Sequence, residues 1–263
     1  MKAASGRVNR DLEVLRGLAG ADEHGLGVVQ IAELLDRDKS QISRALRALE
    51  EAGLVERDRE SRRYHLGLEL YALAARSAQT RLMRAAPLVM RPLAVELDET
   101  IHLCSLHGRE VLTLRSIAPP THAFRASGWE GRAAAAFATS AGRVLLGDHR
   151  PEEIHELFAG IDVRTPGPNG RVSNVDELVA VVAEARSSGY ATVNEEFEAG
   201  LVGASAPVRN MRGDIVAALN VSADAGHLHE LDAAGRACAV AGVRLSRLLG
   251  APGRHPRAAT ALA

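Results

Sequence analysis

Apolar residues recur at helical spacing through the first third of the chain and alternate at strand spacing through much of the remainder, so the change of period divides the molecule. Leu12, Val14, Leu15 and Leu18 predict a first helix with Asn9 as its cap. The preceding residues 1–8, MKAASGRV, lack apolar periodicity and read as a mobile arm carrying Lys2 and Arg7. After the turn-rich GADEHGLG, Val28, Ile31, Ala32 and Leu35 form the inner stripe of a second helix, which Asp36-Arg37-Asp38 turns into a third.

That third helix, Lys39 to Ala52, carries the clearest pattern. Ile42, Ala45, Leu46 and Leu49 fall on one side of it, and Ser40, Arg44, Arg47 and Glu51 on the other. Asp38 and Gln41 are spaced as a capping box, and Gly53 is placed to end the helix at positive φ. Leu54–Arg57 and Tyr64–Leu66 alternate as two short strands around the charged turn Asp58–Arg63. Helix, turn, helix and basic hairpin together predict a winged helix-turn-helix, whose second helix lies in a DNA major groove.

Leu68–Arg84 has no Gly or Pro and predicts one linker helix, after which Pro87 and Pro92 punctuate the approach to a second domain. Ile101–Leu106 and Val111–Ile117 predict a β-hairpin, and Thr121–Ser127 a further strand. Ser140–Leu146 and Pro151–Phe158 predict helices, the Pro- and Gly-rich stretch from Ile161 to Val172 a loop, and Asn174–Ser187 a helix closed by Gly189. Leu201–Val208 and Ile215–Val221 predict central strands, and Leu228–Leu249 a final packing helix. The expected organisation is a DNA-binding domain at 1–67, a linker helix at 68–85, an α+β sensor domain with an antiparallel sheet at 86–250, and a disordered tail at 251–263.

Composition adds a boundary. Hydrophobic residues at 46% and charged residues at 25% place the chain among globular proteins, and the net charge of −1 excludes a bulk polyanion binder. Any nucleic-acid contact must therefore be local, and the first 84 residues do carry 15 Lys and Arg against 13 Asp and Glu. The two cysteines, Cys104 and Cys238, fit a reducing cytoplasm, and the lack of a long apolar run predicts no membrane partner.

Candidate chemistry is concentrated on the third helix. Arg44 can pair bidentately with a guanine edge, while Lys39 and Ser40 suit phosphates near the helix start. Arg62 and Arg63 of the wing suit a phosphate backbone, although their alternation with acids equally suits a solvated face. His102 and Cys104 share one face of a strand, and His227 and His229 sit near a helix start. Neither pair reaches the three or four convergent ligands of a metal site, so no metal is expected. Ser205 lacks a nucleophile-elbow context, and Glu195-Glu196 read as caps or solvent-facing residues. No catalytic set, phosphate loop or dinucleotide fingerprint can be named, and no cofactor is expected.

The order of VNRDLEVLRGL, IAELL, DKSQISRALRALEEAGLVERD and YHLGLEL, followed by ETIHLCSLHGREVLTL, TSAGRVLLGD, SSGYATVNEE and AALNVS, resembles the IclR family of bacterial transcription regulators over residues 7–250. The resemblance implies a winged helix-turn-helix joined by a linker helix to a GAF-like α/β effector-binding domain. It implies that Lys39, Ser40, Gln41, Ser43 and Arg44 face double-stranded operator DNA, to which the polar helix face adds Arg47, the wing Arg62 and Arg63, and the N-terminal arm Arg7. It also implies an effector cavity at Val193, Gly203, Asn220 and Ser222, with Ser140 and Ala141 at a helix start; Cys104, read from its own strand, lines either cavity or core.

Val193 and Gly203 are apolar where the family often carries polar groups, and Ala123, Ala126 and Ala134 stand where some members carry larger residues. Either the cavity is roomier and suits a larger, more apolar ligand such as an aromatic acid, or these alanines pack a core. The expected protein is a transcription regulator controlled by a small-molecule effector, acting as a homodimer or dimer of dimers. An enzyme with a catalytic C-terminal domain and a ligand-independent architectural DNA binder are the alternatives.

Overall fold

The computed structural model describes residues 2–21, 24–75, 80–120, 129–228 and 230–251, with side chains from residue 8 onward except at 74, 75 and 80. The expected strand at Thr121–Ser127, the middle of the linker helix and nearly all of the expected tail lie outside the described residues. The chain divides into two compact units, Met1–Thr80 and Arg81–Ala263.

In the first unit, helices α1 (Lys2–Ala19), α2 (Val28–Leu34) and α3 (Lys39–Glu51) precede strands β1 (Val55–Arg57) and β2 (Tyr64–Leu66) and helix α4 (Leu68–Ala75). Val14, Leu18, Ile31, Ile42, Leu46, Leu49, Val55 and Tyr64 form one core, which is the apolar stripe read from the sequence brought to a common centre. Gly53 has φ 70° and ends α3, and the wing strands pair antiparallel with Val55 opposite Leu66.

Three expectations are corrected here. Residues 2–8 continue α1 rather than forming an arm, and Asn9 lies inside the helix instead of capping it. Ala3 and Ala4 favour helix, no Pro interrupts it, and apolar periodicity is needed only where a helix packs. The side chain of Asp38 makes no cap bond; its carbonyl instead accepts from Gln41 N at 2.9 Å and Ile42 N at 3.1 Å.

The second unit contains α5 (Thr80–Ala85), α6 (Pro87–Leu97), β3 (Thr100–His107), β4 (Glu110–Ile117), β5 (Ala133–Ala135), α7 (Ser140–Leu145), α8 (Pro151–Leu157), α9 (Val175–Ser188), β6 (Ala191–Asn194), β7 (Leu201–Arg209), β8 (Ile215–Asp224) and α10 (Leu231–Leu248). Its six strands form one antiparallel sheet in the order β5-β4-β3-β8-β7-β6. Pro87 and Pro92, expected to punctuate a connection, lie within α6. Pro87 starts the helix, and the carbonyl that Pro92 leaves without its partner belongs to Leu88, on the exposed side where water is available.

Alternation sorts the sheet into two faces. Ile101, Leu103, Ala206, Leu219 and Val221 pack towards Met90 and Leu93 of α6 and Cys238 and Leu245 of α10. Cys104 and Ala218 point the other way, into a second core with Val144 of α7, Ile154 of α8 and Leu178 and Val182 of α9. Among the described residues, no helix is long and apolar enough to cross a membrane.

Candidate functional site

The exposed face of α3 presents Lys39, Ser40, Ser43, Arg44 and Arg47, with Gln41 half-buried at its margin. Gln41 is not engaged in a capping box, so its amide is available to the same surface. Arg44 Nε donates to the Ser40 carbonyl at 3.2 Å, and Arg47 Nε to Glu51 Oε1 at 3.0 Å, one turn away. Both arms lie along the helix, held by exposed contacts that cost little to break.

The wing turn is ordered by Asp58, whose Oδ1 accepts from Ser61 N and Ser61 Oγ, each at 2.7 Å. These bonds hold its carboxyl below the usual range. Arg62 is exposed at φ 61°, whereas Arg63 is half-buried and donates Nη1 to the Gly25 carbonyl at 3.1 Å. Arg63 thus ties the wing to the α1–α2 connection, leaving Arg62 as the freer of the two cations. Arg7 lies in α1, with its side chain outside the described residues.

In the second unit a cavity of about 640 Å³, mouth included, opens between the α7 face of the sheet and α7 itself, and Cys104, Ser140, Ala141, Val193, Gly203, Asn220 and Ser222 all line it. Strand register explains the convergence. Val193 pairs with Gly203 and Gly203 with Ser222, so those three occupy one row, while His102, Asn220 and Ser205 occupy the next on the same face. A Cβ at Gly203 would meet the Val221 carbonyl at 3.0 Å and both Ser140 Oγ and Asn220 Oδ1 at 3.6 Å. Glycine therefore keeps this part of the floor open. Ala134 lines the cavity as well, while Ala123 and Ala126 lie outside the described residues.

The floor carries a hydrogen-bonded cluster. Ser205 Oγ and Ser140 Oγ lie 2.8 Å and 3.2 Å from Asn220 Oδ1 and 2.9 Å from each other, and Asn220 Nδ2 donates to Ser222 Oγ at 2.7 Å. Two seryl protons satisfy the amide oxygen and the Ser–Ser contact, so the Ser222 proton and the second amide proton remain available to a ligand. Val111, Ala133, Phe197, Leu201 and Val202 supply apolar wall. Arg132 is the formally charged lining residue among those described, and its guanidinium lies 6.0 Å from the Trp129 ring.

Sequence reasoning missed His102, Thr113, Trp129, Arg132, Phe197 and Ser205. Period-two alternation with Gly203 could have found Ser205, and alternation with Cys104 placed His102 on the correct face but in the wrong context. Trp129 and Arg132 arrive from a turn that closes over β4, for which no local pattern exists. Glu196 is a correction: it is buried and pairs with Arg143 of α7, Nη1 to Oε1 at 3.1 Å, instead of facing solvent. Glu195 is the solvent-side member, accepting from Gly200 N at 2.8 Å.

Burial pushes the Cys104 thiol up to about 12, which keeps it protonated and unreactive. Burial pushes His102 down to about 4, so the imidazole is neutral at pH 7. A depressed base makes the unfolded chain bind the extra proton, so stability is complete above pH 6.5 and falls as pH drops towards 4. Urea unfolding of the full chain at pH 7 and pH 4.5 should show His102→Gln losing up to roughly 3 kcal/mol less than wild type between the two. An identical loss in both would show that His102 is not held neutral. Among the described residues no group of three or more His, Cys, Asp and Glu is placed to hold a metal ion.

Comparison with known proteins places both units. Residues 8–59 match the IclR helix-turn-helix domain, and residues 75–241 match the bacterial transcriptional regulator IclR C-terminal domain. The regulator TtgV of Pseudomonas putida is 34% identical, over 72% of this chain and 71% of its own. The glycerol operon regulatory protein of Streptomyces coelicolor is 32% identical, over 93% of this chain and 96% of its own. An IclR homologue from Microbacterium hydrocarbonoxydans, solved with 4-hydroxybenzoate, superposes with TM-score 0.78 at 24% identity, covering 92% of this chain and 98% of that one. An IclR regulator from Alicyclobacillus acidocaldarius superposes with TM-score 0.77 at 24% identity, covering 93% and 99%. A winged helix-turn-helix with a polar outer face, followed by a cavity-bearing antiparallel sheet, is thus the architecture of an effector-controlled DNA-binding transcription regulator, and the chain belongs to the IclR family.

Proposed function

We propose that the effector is a small aromatic carboxylate, bound in the cavity between α7 and the sheet. The observation that carries this reading is the lining itself: apolar walls, one guanidinium at Trp129, a floor of free hydroxyl and amide protons, and no carboxylate among the described lining residues. Such a site repels cations and rewards an anion attached to an apolar body. The 4-hydroxybenzoate found with the Microbacterium homologue supports the same class. Cys104, Ser140, Ala141, Val193, Gly203, Asn220 and Ser222 are the contacts proposed, and Arg132, Trp129 and Phe197 join them.

Lys39, Ser40, Gln41, Ser43, Arg44 and Arg47 are proposed to face operator DNA, flanked by Arg62 and Arg7, with Arg63 bracing the wing. One recognition helix reads only a few base pairs, so the working unit is a homodimer or a pair of dimers presenting two helices to two half-sites. Exposed Leu12 on α1 and Leu68, Tyr71 and Leu73 on α4 are apolar surface that a second copy would cover. The protein acts by binding alone, in the cytoplasm.

Trp129 is the chain's single tryptophan and lines the cavity, so its fluorescence reports occupancy directly. Titration with benzoate should change the emission saturably. Saturable change with glycerol or an alkyl amine but none with benzoate would contradict the assigned class.

A further inference from the structure

We propose that His102 determines effector specificity, its Nε2–H joining Asn220 Nδ2 and Ser222 Oγ in an oxyanion seat on the sheet floor. The inference rests on the reading of the cavity as the effector site and deepens it, by placing the ligand's charge on the sheet.

His102 lies on β3, paired with Ser116 of β4 on one side and Asn220 of β8 on the other. Directly opposed residues in an antiparallel pair share a face, with Cβ atoms about 5 Å apart. Ser116, His102, Asn220 and Ser205 therefore form one polar row across four strands, beneath the cavity that His102 and Asn220 line. At one end Ser116 Oγ lies 2.8 Å from His102 Nδ1. At the other, Ser205 and Ser140 occupy Asn220 Oδ1. The chain of bonds is interrupted between the imidazole and the amide: among the described residues no protein group pairs with His102 Nε2.

The protons can be assigned. The imidazole is almost wholly buried and neutral, so one nitrogen carries hydrogen and the partner of the other decides which. The Nε2–H form is the more stable tautomer of a neutral histidine side chain, and it leaves Nδ1 to accept the Ser116 hydroxyl proton. Nε2–H then faces the gap in which Asn220 Nδ2 and Ser222 Oγ hold their spare protons. Three donors around one gap match a carboxylate and leave a ligand hydroxyl with only its lone pairs satisfied. The Trp129 ring, 6.1 Å from the imidazole and tilted by 58°, sets the apolar wall beside the seat. Ser116 touches no ligand in this scheme; it is a positioning residue that fixes the tautomer.

The test uses the full chain, benzoate and benzyl alcohol as probes, and Trp129 fluorescence with calorimetry as readouts. Wild type should bind benzoate at least about tenfold more tightly than benzyl alcohol, and His102→Phe should weaken benzoate about 10- to 100-fold while changing benzyl alcohol by less than about threefold. His102→Gln, which can return an N–H to the gap, should recover most of the benzoate affinity. Ser116→Ala should weaken benzoate by about threefold to tenfold, and it carries the test if the phenylalanine variant does not fold.

Equal losses for both probes, or unchanged benzoate binding in His102→Phe, would overturn the seat. So would failure of wild type to bind benzoate at about 10 mM. Ala134→Phe separates this from the underlying reading, because Ala134 lines the cavity from β5, opposite Val111 and outside the seat row. Benzoate binding that survives Ala134→Phe would overturn the cavity as the site. Binding abolished there but indifferent to His102 would overturn only the seat.

Discussion

Replacing Glu196 by alanine is expected to destabilise the effector-binding unit by about 3–5 kcal/mol, because it strands a guanidinium in the interior. Arg143 is 1% exposed, and Glu196 meets its Nη1 and Nη2 with both carboxylate oxygens. Without Glu196, Arg143 keeps only the Thr192 carbonyl at 3.2 Å, and its Nε has no partner among the described residues even in the intact protein. The same carboxylate accepts from Arg171 N at 3.3 Å, and the Glu196 carbonyl accepts from Gly167 N at 2.8 Å. One residue thereby fastens α7, the segment after β6 and the 161–172 loop together. Urea unfolding followed by circular dichroism measures the loss. The double variant Arg143→Met, Glu196→Leu should recover most of it, since apolar residues of similar volume leave no charge to bury. A loss below about 1 kcal/mol in Glu196→Ala would mean that Arg143 reaches water when freed.

Arg44→Ala should cost about 1–3 kcal/mol on an operator selected from random DNA, and the loss should concentrate at one base pair of each half-site. Arg44 projects from the exposed face of α3, and its internal bond is to a carbonyl of its own helix, so reaching a guanine edge requires only a change of side-chain rotamer. Arg62→Ala is the contrasting case. A phosphate contact carries no sequence information, so every sequence should weaken about equally and the salt slope should fall by about 1. Binding to a panel of single-base operator variants at two salt concentrations separates the roles. A uniform loss for Arg44→Ala would move it from base reading to phosphate contact.

The fold was most legible where a single face of an element meets a core. Ile42, Ala45, Leu46 and Leu49 are buried as their spacing requires, and the segments read as strands at 101–106, 111–117, 201–208 and 215–221 all pair in the sheet. It was least legible where tertiary contacts override local preference. Three consecutive alanines form β5 only because β4 offers them an edge, and Pro92 is tolerated in α6 because the carbonyl it abandons faces water. In the site, strand register carries Cys104, Val193, Gly203, Asn220 and Ser222 to the cavity together, and the start of α7 brings Ser140 and Ala141 to it. The charge pairing of Glu196 was illegible for a different reason: its partner lies 53 residues away on α7, and only packing brings the two together. His102 was visible as chemistry but not as context, since its meaning depends on Ser116 and Asn220 on the neighbouring strands.

The central claim is linkage between the cavity and the DNA face, and it is tested most directly by operator binding of the full chain, measured by fluorescence anisotropy with and without an aromatic acid that saturates the Trp129 signal. A coupling of about 1–3 kcal/mol, read as a change of roughly 5- to 150-fold in operator affinity, is the predicted result. Superimposable binding curves, with the cavity demonstrably filled, would contradict it.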